Sequence, residues 1–198
     1  MNVSRTPVHE ALLLLKTEQL VNIIPQSGSK VSLISLENVR EGLFIRSCVE
    51  PSVYQQIAGN LSEAHLQEMS ECLKKSKELL DADGDDYEFM RLDDEYHKLA
   101  YIAAHKPNVW NAAKKVCSHY DMIRFHDSAV VKENKKKIFD EHLQLFEYML
   151  SGGKAEFDIN AFYEQHLTGG HYISKIPIYG SNMDQRYSHG YLRRGKEL

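Results

Sequence analysis

The chain has 198 residues, of which 42% are hydrophobic and 26% charged, the make-up of one substantial folded domain or of a small module joined to a larger one. That composition excludes disorder, collagen-like repeats and low-complexity character. Net charge is −4, yet residues 47–170 hold 22 acids against 14 bases, so any nucleic-acid surface has to lie in the flanks, where bases outnumber acids.

Residues 4–21, SRTPVHEALLLLKTEQLV, read as a helix with Thr6 as N-cap and Pro7 at its first position. Its apolar run, Ala11 to Leu15, falls far short of the ~20 residues of a spanning helix, and no signal-peptide pattern precedes it; a cytoplasmic chain without a membrane partner is expected. Asn22 to Leu33 reads as a β-hairpin around Gln-Ser-Gly-Ser. From Ser35 onward helices are expected over 36–59 (with a kink at Pro51), 63–80, 86–105, 109–125, 132–151 and 158–167, an antiparallel helical bundle with short connections. The acidic run from Asp81 to Asp86 reads as a helix connection, and Lys135-Lys136-Lys137 as a solvated face. Cys48, Cys72 and Cys117 form no Cys-x-x-Cys pair and read as reduced core residues. The boundaries are 1–34 for the small module, 35–170 for the bundle and 171–198 for an irregular, Gly-, Tyr- and Arg-rich tail.

Ten histidines stand in this sequence, and four ionisable residues share the inward faces of separate helices. Asp93 and His97 lie one turn apart on an apolar stripe with Phe89, Met90, Ala100 and Tyr101. His142 sits among Ile138, Phe139, Leu145, Phe146 and Met149, and His166 follows Phe162 by one turn. Taken singly, each histidine is better explained as a hydrogen-bonded core residue. Together, three imidazoles and a carboxylate on inward faces suit a divalent ion, Zn²⁺ first, with Ni²⁺, Mn²⁺ or Fe²⁺ as alternatives. His119 lies outside this pattern, and its substitution is expected to change little.

The string Val3-Ser4-Arg5-Thr6-Pro7-Val8, followed by Glu10-Ala11-Leu12, Glu18-x-Leu20-Val21 and Pro25-x-x-Gly28-x-x-Val31, resembles the recognition helix and wing of the GntR superfamily of bacterial transcription regulators. Arg46-x-x-x-Glu50, Asp93-x-x-Tyr96-His97, Glu141-His142 and Gln165-His166 resemble the FadR-type branch with its all-helical effector domain, called FCD. The resemblance implies a mainly α chain: a partial winged helix-turn-helix followed by an FCD-type bundle. It implies operator DNA as partner, read through Ser4, Arg5, Thr6, His9 and Lys30. His9 stands where the family usually has arginine. A helix N-terminus presents backbone N–H groups to phosphate, and Arg5 can address guanine bidentately. Two helices precede the reading helix in that family, whereas three residues precede Ser4 here, so half a DNA-binding module is expected in these residues.

The resemblance also implies metal ligation by Asp93, His97, His142 and His166, a small carboxylate effector bound near Arg46 and Arg124, and a homodimer. Arg46 has an equal alternative, an ion pair with Glu50. No nucleophile pattern or general base accompanies the histidines, so no catalytic residue is assigned and no enzyme expected. Two alternatives remain open: a truncated metal- and ligand-binding protein without DNA binding, and a metal-dependent enzyme.

Overall fold

A computed structural model describes residues 4–130, 132–154, 156–169 and 191–192. Helix α1 spans Arg5–Thr17 and is followed by an antiparallel hairpin, β1 (Val21–Ile24) and β2 (Gly28–Val31), with Val21 opposite Val31. Ser4, one residue pair ahead of the expected Thr6, occupies the N-cap, and Thr6 and Pro7 lie inside the first turn. No residue of α1 is buried. Val8, Leu13, Leu14 and Leu15 stay exposed, so this helix presents apolar as well as polar side chains.

A short strand β3 (Ile34–Ser35) leads into the bundle, formed by α2 (Leu36–Ile57), α3 (Glu63–Asp81), α4 (Asp86–Ala103), α5 (Pro107–Val116), α6 (Ser118–Val130), α7 (Lys132–Leu150) and α8 (Ile159–Thr168). Among the described residues, four helix starts are capped by side chains. Ser35, Ser62, Asp85 and Asp158 each accept a hydrogen bond from a backbone N–H two or three residues on, which offsets the unpaired donors of a helix start. Helix α7 ends at Gly152 and Gly153, both at positive φ, a conformation that costs glycine little. Of the segment 171–198, Tyr191–Leu192 alone is described, as strand β4 paired with Ile34–Ser35; the remainder of the expected tail lies outside the described residues.

Helix α2 forms the axis, packing against α4, α5, α6, α7 and α8. Its buried Val39, Leu43, Val53 and Tyr54 meet Tyr96, Ala100 and Tyr101 of α4, Leu145 and Met149 of α7, and Tyr163 of α8 in one core. Pro51 is buried within α2, which continues through it as one helix rather than breaking.

The expected single helix over 109–125 is two, α5 and α6, with Cys117 at the corner. No glycine or proline marks this break. The corner packs on α2, where Gly42 lets it approach so closely that a Cβ there would stand 3.0 Å from Tyr120 Cβ and 3.3 Å from Cys117 Cα. The Lys135–Lys137 run is also not uniformly solvated. Lys135 is 4% exposed and its ammonium lies 2.6 Å from Asp86. Gly42→Val should therefore cost about 1–3 kcal/mol through overpacking, lowering the melting temperature by roughly 2–4 °C per kcal/mol. An unchanged thermal melt would show that this corner does not rest on α2.

Candidate metal centre

Helices α4, α7 and α8 bring His97, His142 and His166 together in the middle of the bundle. One ligand nitrogen from each lies within 4.8 Å of the other two. His97 Nε2 and His142 Nε2 are 3.3 Å apart. Zn–N bonds of about 2.0–2.1 Å at tetrahedral angles put two nitrogens roughly that far apart, so the residues present fit a divalent ion. Asp93 flanks the triangle, with its Oδ1 3.4 Å from His142 Nε2 and its Oδ2 paired with Arg124.

The imidazoles are aimed by their outer nitrogens. His166 Nδ1 donates to Glu141 Oε2 at 2.7 Å, and His97 Nδ1 lies 3.3 Å from Glu50 Oε2 and 3.4 Å from Tyr54 Oη. A carboxylate on Nδ1 favours the tautomer whose Nε2 lone pair points inward, the form a metal requires. Tyr96 stacks on His142 with ring centroids 4.5 Å apart, and Phe162 stacks on His166. Burial foremost, then the charge of Arg46, holds His97 well below the usual imidazole range; burial, then His166 and Arg124, does the same for His142. Both rings are thus neutral, as ligation demands. Glu50, Tyr54 and Glu141 are the site residues that the histidine pattern alone does not reveal. The spacing Arg46, Glu50, Tyr54, one helical turn at each step, was the available signal.

The two candidate effector arginines are both engaged. Arg46 is 4% exposed and pairs through two nitrogens with fully buried Glu50, Nη2 to Oε2 at 3.0 Å, while its guanidinium lies over the Tyr120 ring. Arg124 donates to Asp93, to Asp121 at 2.8 Å and to Asp94 at 3.3 Å. Lys114 closes the same network on Asp94, at 2.8 Å, and Asp121. Burial pushes the Asp121 carboxyl up to about 6 despite Lys114 beside it.

The candidate DNA-reading residues sit apart from this centre. Ser4, Arg5, Thr6 and His9 occupy the start of α1 and Lys30 lies on β2, all exposed. His119 does not fit the inert role expected of it: it is 2% exposed, and its Nδ1 accepts the Ser35 N–H at 3.1 Å. Its loss would leave a backbone donor unpaired. Removing one partner of the buried Arg46–Glu50 pair should be far worse. Arg46→Met is expected to cost about 3–5 kcal/mol by stranding the Glu50 carboxylate, and Arg46→Met/Glu50→Met to recover most of it. Chemical denaturation of the three proteins measures this; a double variant no more stable than the single one would refute the pairing.

The model of the FCD domain matches residues 41–157 of the chain. The HTH-type transcriptional repressor RspR of Escherichia coli K12 is 30% identical over 145 residues, covering 73% of this chain and 63% of RspR. An uncharacterised HTH-type transcriptional regulator of Streptomyces ambofaciens is 33% identical over 148 residues, covering 71% and 61%. The chain thus spans somewhat under two thirds of the length of these relatives. Among solved structures, a putative GntR transcriptional regulator from Rhodococcus sp. RHA1 superposes with a TM-score of 0.67 at 18% identity, over 88% of this chain and 81% of that one, a likeness of fold. These relatives are named as transcriptional regulators, not enzymes. An all-helical bundle matched by that domain model over more than half the length of the chain makes the chain a member of the FCD-domain family.

Proposed function

We propose that this chain belongs to a ligand-responsive DNA-binding regulator whose helical domain holds a divalent metal ion and senses a small carboxylate metabolite. The observation that carries the reading is the convergence of three buried imidazoles, two with their outer nitrogens on carboxylates. His97, His142 and His166 would hold the ion, with Asp93 Oδ1 as the fourth protein ligand. A bound divalent ion supplies a Lewis-acidic seat for a carboxylate. Zn²⁺ suits this donor set best, and Ni²⁺, Mn²⁺ and Fe²⁺ share its preferences. A divalent ion at this centre favours an anionic effector over a neutral or cationic one.

Residues 1–34 act in this reading as the DNA-facing module and 35–170 as the sensing domain. The exposed start of α1 directs Arg5 and the hydroxyls of Ser4 and Thr6 outward, with Lys30 on the wing. The regulator works as a homodimer, since readers of this type bind paired half-sites and need two-fold symmetry. The acidic sensing domain keeps the DNA-facing surface confined to the module.

Three measurements test this. Elemental analysis and thermal melts should show His142→Ala losing metal and melting temperature together, while His105→Asn, at an exposed position of positive φ that asparagine tolerates, keeps both. Equal metal in the unaltered chain and His142→Ala would make these histidines ordinary core residues. Glu141→Gln should weaken metal binding by about 10- to 100-fold. For the module, Arg5→Ala should lower affinity for operator DNA and reduce the slope of log affinity against log salt by about one. An unchanged slope would remove Arg5 from the interface.

A further inference from the structure

Helix α6 makes polar contacts at its start and at its middle that lead to different parts of the molecule. At its start, Ser118 Oγ donates to the Glu18 carbonyl at 2.9 Å, and the neighbouring His119 accepts the Ser35 N–H. Glu18 closes α1, whereas Ser35 ends the short strand beyond the hairpin and caps α2, so the first turn of α6 holds the module at Glu18 and its junction with the bundle at Ser35. Two turns on, Arg124 holds Asp93 Oδ2, while Asp93 Oδ1 faces the imidazole cluster. One carboxylate therefore touches both the candidate metal ligands and the helix that grips the module.

The surroundings of α6 leave it room to respond. A cleft of about 830 Å³ runs along it, lined by Tyr87 and Met90 of α4, by Lys114 of α5, by Met122 and Phe125 of α6 itself, and by Leu20 next to β1. Close packing transmits small shifts rigidly. Here a cleft replaces part of that packing, and the hydrogen bonds of Ser118 and His119 carry the joint. Helix α2 also reaches the module, through Asn38 to Gln19, but α2 is enclosed by five other helices and is the frame on which the start of α6 is seated, Gly42 against Tyr120 and Cys117.

We infer that Arg124 is a positioning residue which couples the imidazole cluster to the DNA-facing module through α6. The inference rests on the metal reading above. Asp93 committed through Oδ1 to an occupied cluster presents a fixed Oδ2 to Arg124; with the cluster empty, Asp93 is restrained from the Arg124 side alone. Filling the cluster thus stiffens α6 and, through Ser118 and His119, the segment from Glu18 to Ser35. Outer-shell partners of a ligating carboxylate orient it in this manner, and a helix whose stiffness depends on occupancy couples two sites without a change of fold.

Hydrogen exchange of the full chain, with and without Zn²⁺, measures both halves of the claim. In the unaltered chain Zn²⁺ should slow exchange in α7, which carries His142, and should slow residues 18–35 by about fivefold or more, the lower end of ordinary coupling between sites. Arg124→Gln should still bind Zn²⁺ and protect α7 through the three histidines, while the slowing of residues 18–35 disappears; Arg124→Lys should restore part of it. Ser118→Ala, at a partly exposed position where folding is not at risk, should weaken the response of residues 18–35 and leave α7 unaffected, and it carries the test if Arg124→Gln fails to fold. Absence of Zn²⁺ binding in the unaltered chain would overturn the metal reading and this inference together. Zn²⁺ binding that protects α7 but not residues 18–35, or a full response in Ser118→Ala and Arg124→Gln, would overturn this inference alone.

Discussion

An ionised carboxylate at 3% exposure persists where cations and donors replace the water it has lost, and Asp93 draws that compensation from Arg124 on one oxygen. Much of the polar interior follows from this one requirement. Arg124 is itself inside the fold and takes two further carboxylates, Asp94 and Asp121; these in turn bring in Lys114. Glu50 accepts from Arg46 on both oxygens and shares Oε2 with His97. A bundle core of this size could be apolar throughout and would then be easier to stabilise. Its charges are arranged around three imidazoles, two of them kept neutral by burial, and that arrangement is costly unless something occupies the centre.

Much of the fold was legible in the chain because local signals and tertiary packing agree. Ser62, Asp85 and Asp158 stand where helix starts require them, and Gly152-Gly153 stands where α7 stops. The candidate site was legible for a related reason. Asp93, His97, His142 and His166 interrupt apolar stripes whose period already placed them inward, and the structure brings the three imidazoles together with Asp93 beside them. Periodicity assigns a residue to a face; it does not say which atom of it meets which neighbour. The engagement of Arg46 by Glu50 was therefore one of two open readings, and the role of Glu141 as the carboxylate aiming His166 was not visible from its own helix.

What escaped the sequence depends on contacts between distant segments. The corner at Cys117 packs on Gly42, 75 residues away, and nothing between residues 109 and 125 records it. Lys135 looked like part of a basic surface run, and Asp86, on the start of another helix, draws it inside. His119 has the composition of a spare histidine, and the chain end of the wing turns back to use it as an acceptor. In each case a local property was overridden by a partner whose position the fold alone determines.

Under the proposed function, the separation between an N-terminal module that buries none of its leading helix and a helical domain with charges at its centre has a thermodynamic consequence. A ligand changes a conformational equilibrium by no more than its difference in affinity for the two states, so a sensor needs a region whose stability differs strongly between empty and filled. A close-packed apolar core offers little such difference. A cluster of buried imidazoles and carboxylates would offer a large one, because groups that compensate one another imperfectly would be satisfied by a bound ion and anion. Placing that cluster on α4, α7 and α8, with Glu50 on the central α2 and Arg124 on α6, distributes the difference over five helices. One of those five, α6, is also the helix whose first turn holds the module.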